Sequence, residues 1–477
     1  MAEYEAVIGI EVHVELLTRS KMFCGCANEF GGEPNVRTCP ICTGAPGVLP
    51  VPNAYAVELV TRSALALNCT ISRRTIFHRK NYPYPDLPKG YQISQYGDTP
   101  IGKNGWLMVQ SDAGPKRIDI RRVHLEEDTG KLFHLDDGSS LVDFNRSGVP
   151  LMEIVSEPDI STPDEARAYL QELRTILTYL NVSDCKMEEG SMRCEPNLSL
   201  RPVGSTEFGT KAELKNLNSF RVVHKGLQYE IERQARALAN GERIAHETRR
   251  WDEASGTTIL MRVKEYEDDY RYFPEPDLVP LRLDAAFVET QRAALPELPQ
   301  QKRDRYVQTF GIPVYDAGVL TESTELAALY DETVAAGADP KQASNWIMGE
   351  FLARLNAQGI EISQARVRAA HIVELLALID KGAITGKIAK TVFDGMWESG
   401  EMPSVIVEKR GLTQIADADA LGPIFDEVIA ANPDVVEKIR AGKEQPIGFL
   451  VGEVMRRTKG RANPQLVTAQ LRKRILG

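Results

Sequence analysis

The chain has 477 residues, of which 43% are hydrophobic and 26% charged, with seven cysteines and a formal net charge of −10 at pH 7. This length exceeds what one hydrophobic core supports, and the composition excludes disordered, collagenous and membrane-spanning classes. The acidic balance excludes a surface that coats nucleic acid along its whole length. No basic and apolar signal peptide opens the chain and the cysteine number is odd, so we expect a cytoplasmic protein with no membrane partner.

The first predicted element is a strand in which polar and apolar residues alternate. From Ile10 to Leu16 the apolar residues share one face, and Glu11, His13 and Glu15 share the other. A solvated sheet face has the same pattern. Carboxylates that converge on one face repel each other, however, and bound Mg²⁺ relieves that repulsion. The segment is therefore a candidate part of a metal site.

Cysteine spacing is the most specific local signal. Cys24 and Cys26 form one close pair, and Cys39 and Cys42 form a second pair on a Pro- and Gly-containing turn. Two such pairs can hold Zn²⁺ with four thiolates, which leaves no open coordination position for chemistry. The alternative is four unrelated buried thiols. We predict a structural zinc site.

A second acidic segment lies between Arg121 and Ile154. His124 and Glu126 alternate with apolar residues and should share one face of a strand, and a turn-rich connection that begins at Asp143 leads to Glu153. So many acidic groups among apolar residues are costly to bury unless cations compensate them. Together with the first strand, this segment predicts a metal-dependent site.

The segment from 97 to 104 nearly spells a phosphate-binding loop, but Asn104 stands where a hydroxyl residue would bind Mg²⁺. Asn104 and Gly105 instead predict a hairpin turn. No glycine-rich dinucleotide motif follows a strand. If ATP binds, we expect it on a sheet, through metal ions and Arg or Lys side chains.

The remaining pattern up to residue 293 mixes strands with helices. Asn53 predicts the start of a helix that runs to Leu67, and Thr162 to Glu165 predicts a capping box with Pro163 at the first helical position. Strand-like alternation returns from 191 to 200 and from 211 to 215. This order predicts an α+β fold with an antiparallel sheet.

Beyond a Pro-containing linker at 296–299, the pattern becomes helical. Ten Lys and Arg residues between Lys438 and Arg474 stand against Glu444 and Glu453, which leaves +8 there and −18 over the rest. A basic tail on an acidic body can hold a polyanion in one place. A solvated helical surface is the alternative.

These segments together resemble the B-subunit family of the bacterial aspartyl/glutamyl-tRNA amidotransferases. The resemblance covers essentially the whole chain, in order. The matching segments are residues 7–14, 80–82, 124–128, 143–146, 187–193, 211–220, 270–277, 448–452 and 459–467. The cysteine quartet varies within the family, which suits a structural role better than a catalytic one.

The resemblance implies a cradle domain similar to the glutamine synthetase catalytic fold at 1–293, a helical domain at 294–405 and a tRNA-binding tail at 406–477. It implies that ATP phosphorylates the side-chain carboxylate of Glu or Asp misattached to tRNA(Gln) or tRNA(Asn), and that ammonia then displaces the phosphate. It also implies two partners in a heterotrimer: an amidase, the A subunit, which hydrolyses glutamine, and the small C subunit.

The residues found above suit that chemistry, because phosphoryl transfer needs positioning and charge neutralisation. We expect Mg²⁺ near Glu11, His13, Glu126 and Glu153, and we expect Arg193 and Lys215 to act at the same catalytic site. The expected substrate contacts are Lys80, Asn81, Tyr82, Lys89, Glu213 and Asn216.

Two other functions stay open at this point. One is a metal-dependent kinase or ligase for a small carboxylate, which would not require the basic tail. The other is a non-catalytic RNA-binding scaffold that uses the cysteines and the tail.

Overall fold

The computed structural model describes residues 4–95, 97–263, 270–413, 421–443, 445–458 and 460–477. Two residues of the predicted basic tail, Glu444 and Lys459, lie outside this set. The chain divides into two compact units, Met1–Pro299 and Gln300–Gly477. The first unit combines a large sheet with helices and the second is helical, so the predicted α+β class is confirmed.

The strands belong to the first unit. They are β1 (Tyr4–Glu15), β2 (Thr70–Ile71), β3 (Arg74–Thr75), β4 (His78–Asn81), β5 (Tyr91–Ser94), β6 (Gly102–Ser111), β7 (Gly114–Glu127), β8 (Lys131–His134), β9 (Ser140–Asp143), β10 (Pro150–Ser156), β11 (Met192–Pro202), β12 (Ala212–Lys215), β13 (Glu247–Asp252), β14 (Thr257–Val263), β15 (Phe273–Pro274) and β16 (Leu281–Arg282).

Nine of these strands form the main sheet, in the order β14-β13-β12-β11-β1-β10-β7-β6-β2. A smaller sheet has the order β15-β4-β5. The main sheet is not wholly antiparallel as predicted, because β12 and β13 are parallel. A helix joins these two short strands as a crossover connection, which a four-residue strand is too short to reveal in the sequence.

The hairpin turn predicted at Asn104 and Gly105 is wrong, because both residues lie inside β6. The pairing with β7 is interrupted at Asn104, whose φ is 54°, but the register is the same on both sides of it. At Gly105 a Cβ atom would come within 2.4 Å of the Leu67 carbonyl oxygen. Glycine is required at position 105 because the backbone at Leu67 comes so close, and not because the strand reverses direction there.

The helices of the first unit are α1 (Ala54–Ala66), α2 (Pro163–Tyr179), α3 (Phe220–Ala239) and α4 (Ala285–Ala293). Asn53 and Thr162 cap α1 and α2 as predicted. Half of the predicted capping box forms, because the Thr162 hydroxyl accepts from the Glu165 N–H, whereas the Glu165 carboxylate accepts from the N–H of Ser161 instead of Thr162. Helices α1, α2 and α3 pack on the main sheet, and their apolar residues share one core with those of the sheet.

The second unit contains α5 (Pro299–Gln308), α6 (Val314–Leu320), α7 (Thr324–Ala335), α8 (Pro340–Trp346), a π-helical turn (Ile347–Phe351), α9 (Leu352–Gln358), a 3₁₀ turn (Ile362–Gln364), α10 (Ala369–Asp380), α11 (Gly386–Ser399), α12 (Pro403–Lys409), α13 (Gly422–Ala431), α14 (Pro433–Arg440), α15 (Ile447–Arg457) and α16 (Pro464–Leu476).

These helices enclose two separate apolar cores. One extends from Tyr306 to Val407 and the other from Leu421 to Ile475. The expected boundary between 405 and 406 falls within α12, whose Ile406 and Val407 belong to the first of these cores. Among the described residues, no helix has both the length and the apolar character needed to cross a membrane.

Candidate functional site

The charged face of the main sheet follows from the alternation in β1. Ile10, Val12 and Val14 are buried in the core shared with the helices, whereas Glu11 and His13 are partly exposed on the other face. The predicted division of this strand into an apolar and a polar face is confirmed. The polar face therefore lies opposite the helices.

Strand register brings distant residues together on this face. Directly paired residues share a face, and one such row runs Arg193, His13, Glu153 and His124 across β11, β1, β10 and β7. Glu126 follows His124 at the next position on the same side of β7. Residues that are far apart in the sequence thus converge at the centre of the sheet.

We call His13, Glu126 and Glu153 the sheet-face cluster. The Nε2 atom of His13 lies 3.6 Å from Glu126 Oε1 and 3.4 Å from Glu153 Oε2. One ligand atom from each of the three lies within 4.8 Å of the others, a spacing that suits a metal ion. Three of the four predicted magnesium ligands are therefore adjacent.

Neighbouring imidazoles compensate the two buried carboxylates. Burial favours the neutral acids, but His124 and His13 outweigh that effect and lower the pKa values of Glu126 and Glu153. Burial likewise disfavours a charged His13, yet its hydrogen bond to Glu153 and the charges of both carboxylates raise its pKa to about 9. This cluster is held together by opposite charges.

Glu11 is not part of that cluster. It pairs with Val155, one row away from His13, and accepts a 3.4 Å hydrogen bond from the Asn197 side chain. Burial, followed by the charge of Glu153, raises its pKa. Glu11 therefore borders the position between the three ligands rather than completing it.

The predicted cations Arg193 and Lys215 each bind carboxylates on the same face. Arg193 contacts Asp128 at 2.5 Å, and Lys215 contacts Glu195 at 2.6 Å and Glu213 at 2.9 Å. Glu213 is buried and also accepts a 3.0 Å hydrogen bond from Thr248. Arg193 lies beside the cluster, opposite His13, whereas Lys215 lies two strands from β1, on β12.

Several residues of the site were not in the predicted set. Arg122 contacts Glu153 at 2.9 Å, and the Ser94 hydroxyl lies 2.7 Å from Glu126. The charge of Arg193 holds the pKa of Asp128 at about 2 despite burial. Arg122 occupies the same alternating face as His124 and was detectable from that pattern, whereas Ser94 belongs to the smaller sheet and was not.

The smaller sheet contributes Lys80, Asn81 and Tyr82 from β4 and the residue that follows it. The Lys80 ammonium lies 4.8 Å from the centre of the Tyr270 ring and 5.9 Å from that of Tyr82. Burial opposes its charge, but the nearby Glu126, among other anionic groups, raises its pKa. Lys80 thus interacts electrostatically with the carboxylates of the main sheet.

The other expected substrate contacts, Asn81, Lys89 and Asn216, do not contact the sheet-face cluster directly in the described hydrogen bonds and ion pairs. The Asn81 side chain donates a 2.8 Å hydrogen bond to the Arg271 carbonyl, and Lys89 forms an ion pair with Glu127. Asn216 follows β12, is exposed and has a φ of 60°. A cavity of about 230 Å³ adjoins Lys89 and Glu127, and Cys24 and Cys42 line it from the other side.

The cysteine cluster consists of Cys24, Cys26, Cys39 and Cys42. Their Sγ atoms lie within 4.8 Å of one another, so the predicted quartet of potential ligands is assembled. Four sulfurs around one zinc ion are roughly 3.8 Å apart, which this arrangement permits. A hydrogen bond from Cys24 is the main cause that lowers the pKa of Cys42 to about 4, and the buried Lys21 ammonium adds to it.

Some of the basic residues between Lys438 and Arg474 form ion pairs with acidic residues of α13. Arg457 pairs with Glu427 and Arg474 with Asp426, so acidic residues of α13 neutralise part of the excess charge. Lys438, Lys443 and Lys473 remain exposed on the surface of this part of the second unit.

Comparison with known proteins matches two families to the chain. A family described as the GatB/GatE catalytic domain matches residues 6–289, and one described as the GatB domain matches residues 328–475. A protein of Moorella thermoacetica is 57% identical over 476 residues, which cover 99% of this chain and 100% of that protein. Relatives from Thermoanaerobacter sp. and Brevibacillus brevis are 55% and 54% identical, over 99% and 98% of both chains. All three relatives are named as B subunits of an aspartyl/glutamyl-tRNA(Asn/Gln) amidotransferase.

Proposed function

The chain belongs to the family of aspartyl/glutamyl-tRNA(Asn/Gln) amidotransferase B subunits, and on that premise we propose that its sheet face performs the ATP-dependent step of tRNA-dependent amidation. The substrate carboxylate is that of Glu on tRNA(Gln) or of Asp on tRNA(Asn). Its oxygen attacks the γ-phosphorus of ATP, which gives an acyl phosphate and ADP. Ammonia then attacks the acyl carbon and expels phosphate with loss of a proton, leaving Gln or Asn on the tRNA.

The observation that carries this proposal is the convergence of the sheet-face cluster with cations. Carboxylates alone would repel the phosphates of ATP. Arg122 and Arg193 lie beside the cluster, Lys80 is close to Glu126 from the smaller sheet, and Lys215 lies farther along the same face. Phosphoryl transfer is accelerated mainly by such positioning and by neutralisation of spreading charge.

The sheet-face cluster also fits a magnesium ion. Mg²⁺ is commonly held by one or two carboxylates and by phosphate oxygens, with the imidazole as a less usual third ligand. Glu126 and Glu153 would hold it together with His13, which would first lose its proton, and Glu11 lies beside them. When bound, the ion would neutralise the oxygens of the transferred phosphoryl group.

The remaining site residues serve the substrate in this proposal. Lys80 and Arg193 attract the substrate carboxylate and the phosphoryl group. Lys215, which is held by Glu195 and Glu213, adds a positive charge on the same face. The aromatic ring of Tyr82 packs near Lys80 and limits water. Asn81, Lys89 and Asn216 contact the acceptor end of the tRNA.

The cysteine cluster would bind a structural zinc ion. All four sulfurs act as ligands, so no coordination position remains for a substrate. The cluster closes the loop between β1 and α1, and the Ser147 hydroxyl, from the connection before β10, donates to the Cys42 carbonyl at 3.2 Å. Zinc would hold that loop against the sheet.

The assembly proposed for this chain is a cytoplasmic heterotrimer that also contains the amidase, or A subunit, and the small C subunit. The chain would supply a cradle domain similar to glutamine synthetase at 1–293, a helical domain at 294–405 and a tail domain at 406–477. The amidase would deliver the ammonia. The tail would hold the tRNA.

ATP cleavage by the heterotrimer tests this function. Glu-tRNA(Gln) or Asp-tRNA(Asn) should stimulate it strongly, whereas free glutamate and uncharged tRNA should not. Equal stimulation by free glutamate would indicate a small-carboxylate kinase. Binding of tRNA without ATP cleavage would indicate a scaffold.

Replacement of Lys438, Lys443 and Lys473 by alanine tests the tail. We expect a higher KM for aminoacyl-tRNA, and a salt dependence of log affinity flattened by roughly 0.7 to 0.9 for each lost phosphate contact. Basal ATP cleavage should be unchanged. The matched control replaces Lys381, Lys387 and Lys390, and an equal effect of the control would argue against a dedicated tail.

A further inference from the structure

The end of β7 carries Glu126 but lacks a strand neighbour on one side. Strand β6 pairs with β7 only as far as Val123, so the residues from His124 to Glu127 extend beyond it. The opposite side of this segment is paired with β10. Backbone groups on the free side need partners, because buried unpaired N–H and C=O groups are costly.

Strand β5 of the smaller sheet, with the residue after it, supplies those partners. The Leu125 N–H donates to the Gln95 side chain at 3.1 Å, and the Gln92 side chain donates to the Glu127 carbonyl at 2.7 Å. The Ile93 N–H donates to the Glu127 carboxylate at 2.9 Å. The smaller sheet is thereby fastened to the strand that carries Glu126.

Ser94 lies at the centre of this junction and is 2% exposed. Its hydroxyl donates to Glu126 Oε2 at 2.7 Å, and the His124 Nε2 atom lies 3.4 Å from the same hydroxyl. The other carboxylate oxygen, Oε1, is the one that faces His13. The two oxygens of Glu126 therefore have different partners.

We propose that Ser94 is a positioning residue that fixes the rotation of the Glu126 carboxylate, so that Oε1 is directed at the metal position between His13 and Glu153. This inference rests on the proposed function of the sheet-face cluster. A carboxylate without such a partner rotates about its terminal bond, and hydrogen bonds to metal ligands typically change metal affinity 10- to 100-fold.

The pairing of β4 with β5 also positions Lys80. In the smaller sheet Ser94 pairs with His78, and Lys80 pairs with Gln92. Strand β4, which carries Lys80, is thus hydrogen-bonded to β5, and Ser94 of β5 contacts Glu126. Metal ligand and substrate cation are therefore positioned by one junction.

Manganese binding to the full-length chain tests this role, measured by electron paramagnetic resonance with Mn²⁺ as the probe. Ser94→Ala should weaken Mn²⁺ binding about 10- to 100-fold, and Ser94→Thr, which keeps the hydroxyl, should recover most of it. The matched control is Ser156→Ala. Ser156 is an equally buried serine on β10, but its hydroxyl bonds only to the backbone of Ile10 and Glu157.

Thermal unfolding of each variant distinguishes positioning from folding. Unchanged Mn²⁺ affinity in a folded Ser94→Ala variant overturns the inference, as does an equal loss in Ser156→Ala. The proposed function is judged separately, because a wild-type chain that binds Mn²⁺ but shows no ATP cleavage stimulated by misacylated tRNA in its heterotrimer would refute that function and leave the role of Ser94 intact.

Discussion

The sheet-face cluster and the cysteine cluster are two groups of potential metal ligands in the same unit, and they are built in opposite ways. The cysteines lie within nineteen residues of one another, on turns. The sheet-face ligands come from three strands, and His13 is 140 residues from Glu153. The first cluster depends on a local loop, and the second depends on the register of the whole sheet.

Their electrostatics differ as well. In the cysteine cluster only Cys42 has a lowered pKa, and the buried Lys21 ammonium lies beside it. Glu126 and Glu153 are buried as anions and are compensated by His13, His124 and Arg122. We therefore expect metal removal to unfold the cysteine loop but to leave the sheet face assembled and inactive.

The largest expected effect is on catalysis by Glu126→Gln. Loss of one ligand charge where phosphate charge develops should reduce ATP cleavage about a hundredfold or more, which corresponds to about 3 kcal/mol. The Gln side chain can still accept the Ser94 hydrogen bond but no longer compensates the charge of His13, so the melting temperature should fall while the chain stays folded. Near-normal turnover at saturating Mg²⁺ would remove Glu126 from the site. Glu157→Gln, at an exposed pair with Arg121, is the matched control.

Stability, rather than rate, should respond to changes in the cysteine cluster. The chain purified without chelator should contain about one zinc ion, and Cys24→Ser with Cys42→Ser should remove it and lower the melting temperature. ATP cleavage per folded molecule should be preserved. Absence of zinc from the wild-type protein would refute the assignment. A loss of catalysis without a loss of stability would mean that the cysteine cluster, like the sheet-face cluster, serves catalysis.

A smaller effect concerns pH in the absence of Mg²⁺. The pKa of His13 is about 9 in the fold and 6.5 without its partners, so its contribution to stability is complete below pH 6.5 and is lost as pH rises through 9. Chemical unfolding at several pH values should show this slope, and His13→Gln should flatten it. An identical slope in the variant would mean that other groups cause the pH dependence.

The two clusters also show which features of the site could be predicted from the sequence. The spacing of the cysteines and the alternation in β1 and β7 predicted which residues share a loop or a face, because both are local properties. Register is not local. Glu11 and His13 are indistinguishable in the alternation, but pairing places His13 opposite Glu153 and Glu11 opposite Val155.

The contacts between sheets were beyond such reasoning. Ser94 reaches Glu126 only because β5 occupies the place that β6 leaves free, and no pattern within β5 indicates that. The error at Asn104 has a similar cause. A sequence that favours a turn in isolation interrupts a single pair of the ladder when a long strand continues on both sides of it.

Anomalous diffraction from crystals of the heterotrimer grown with Mn²⁺ and ATP, recorded at the manganese and zinc absorption edges, tests the account most directly. We predict a manganese peak between His13, Glu126 and Glu153 beside the nucleotide phosphates, and a separate zinc peak among the four cysteines. Nucleotide and manganese bound away from the sheet face would contradict the central claim that this face is where ATP is used.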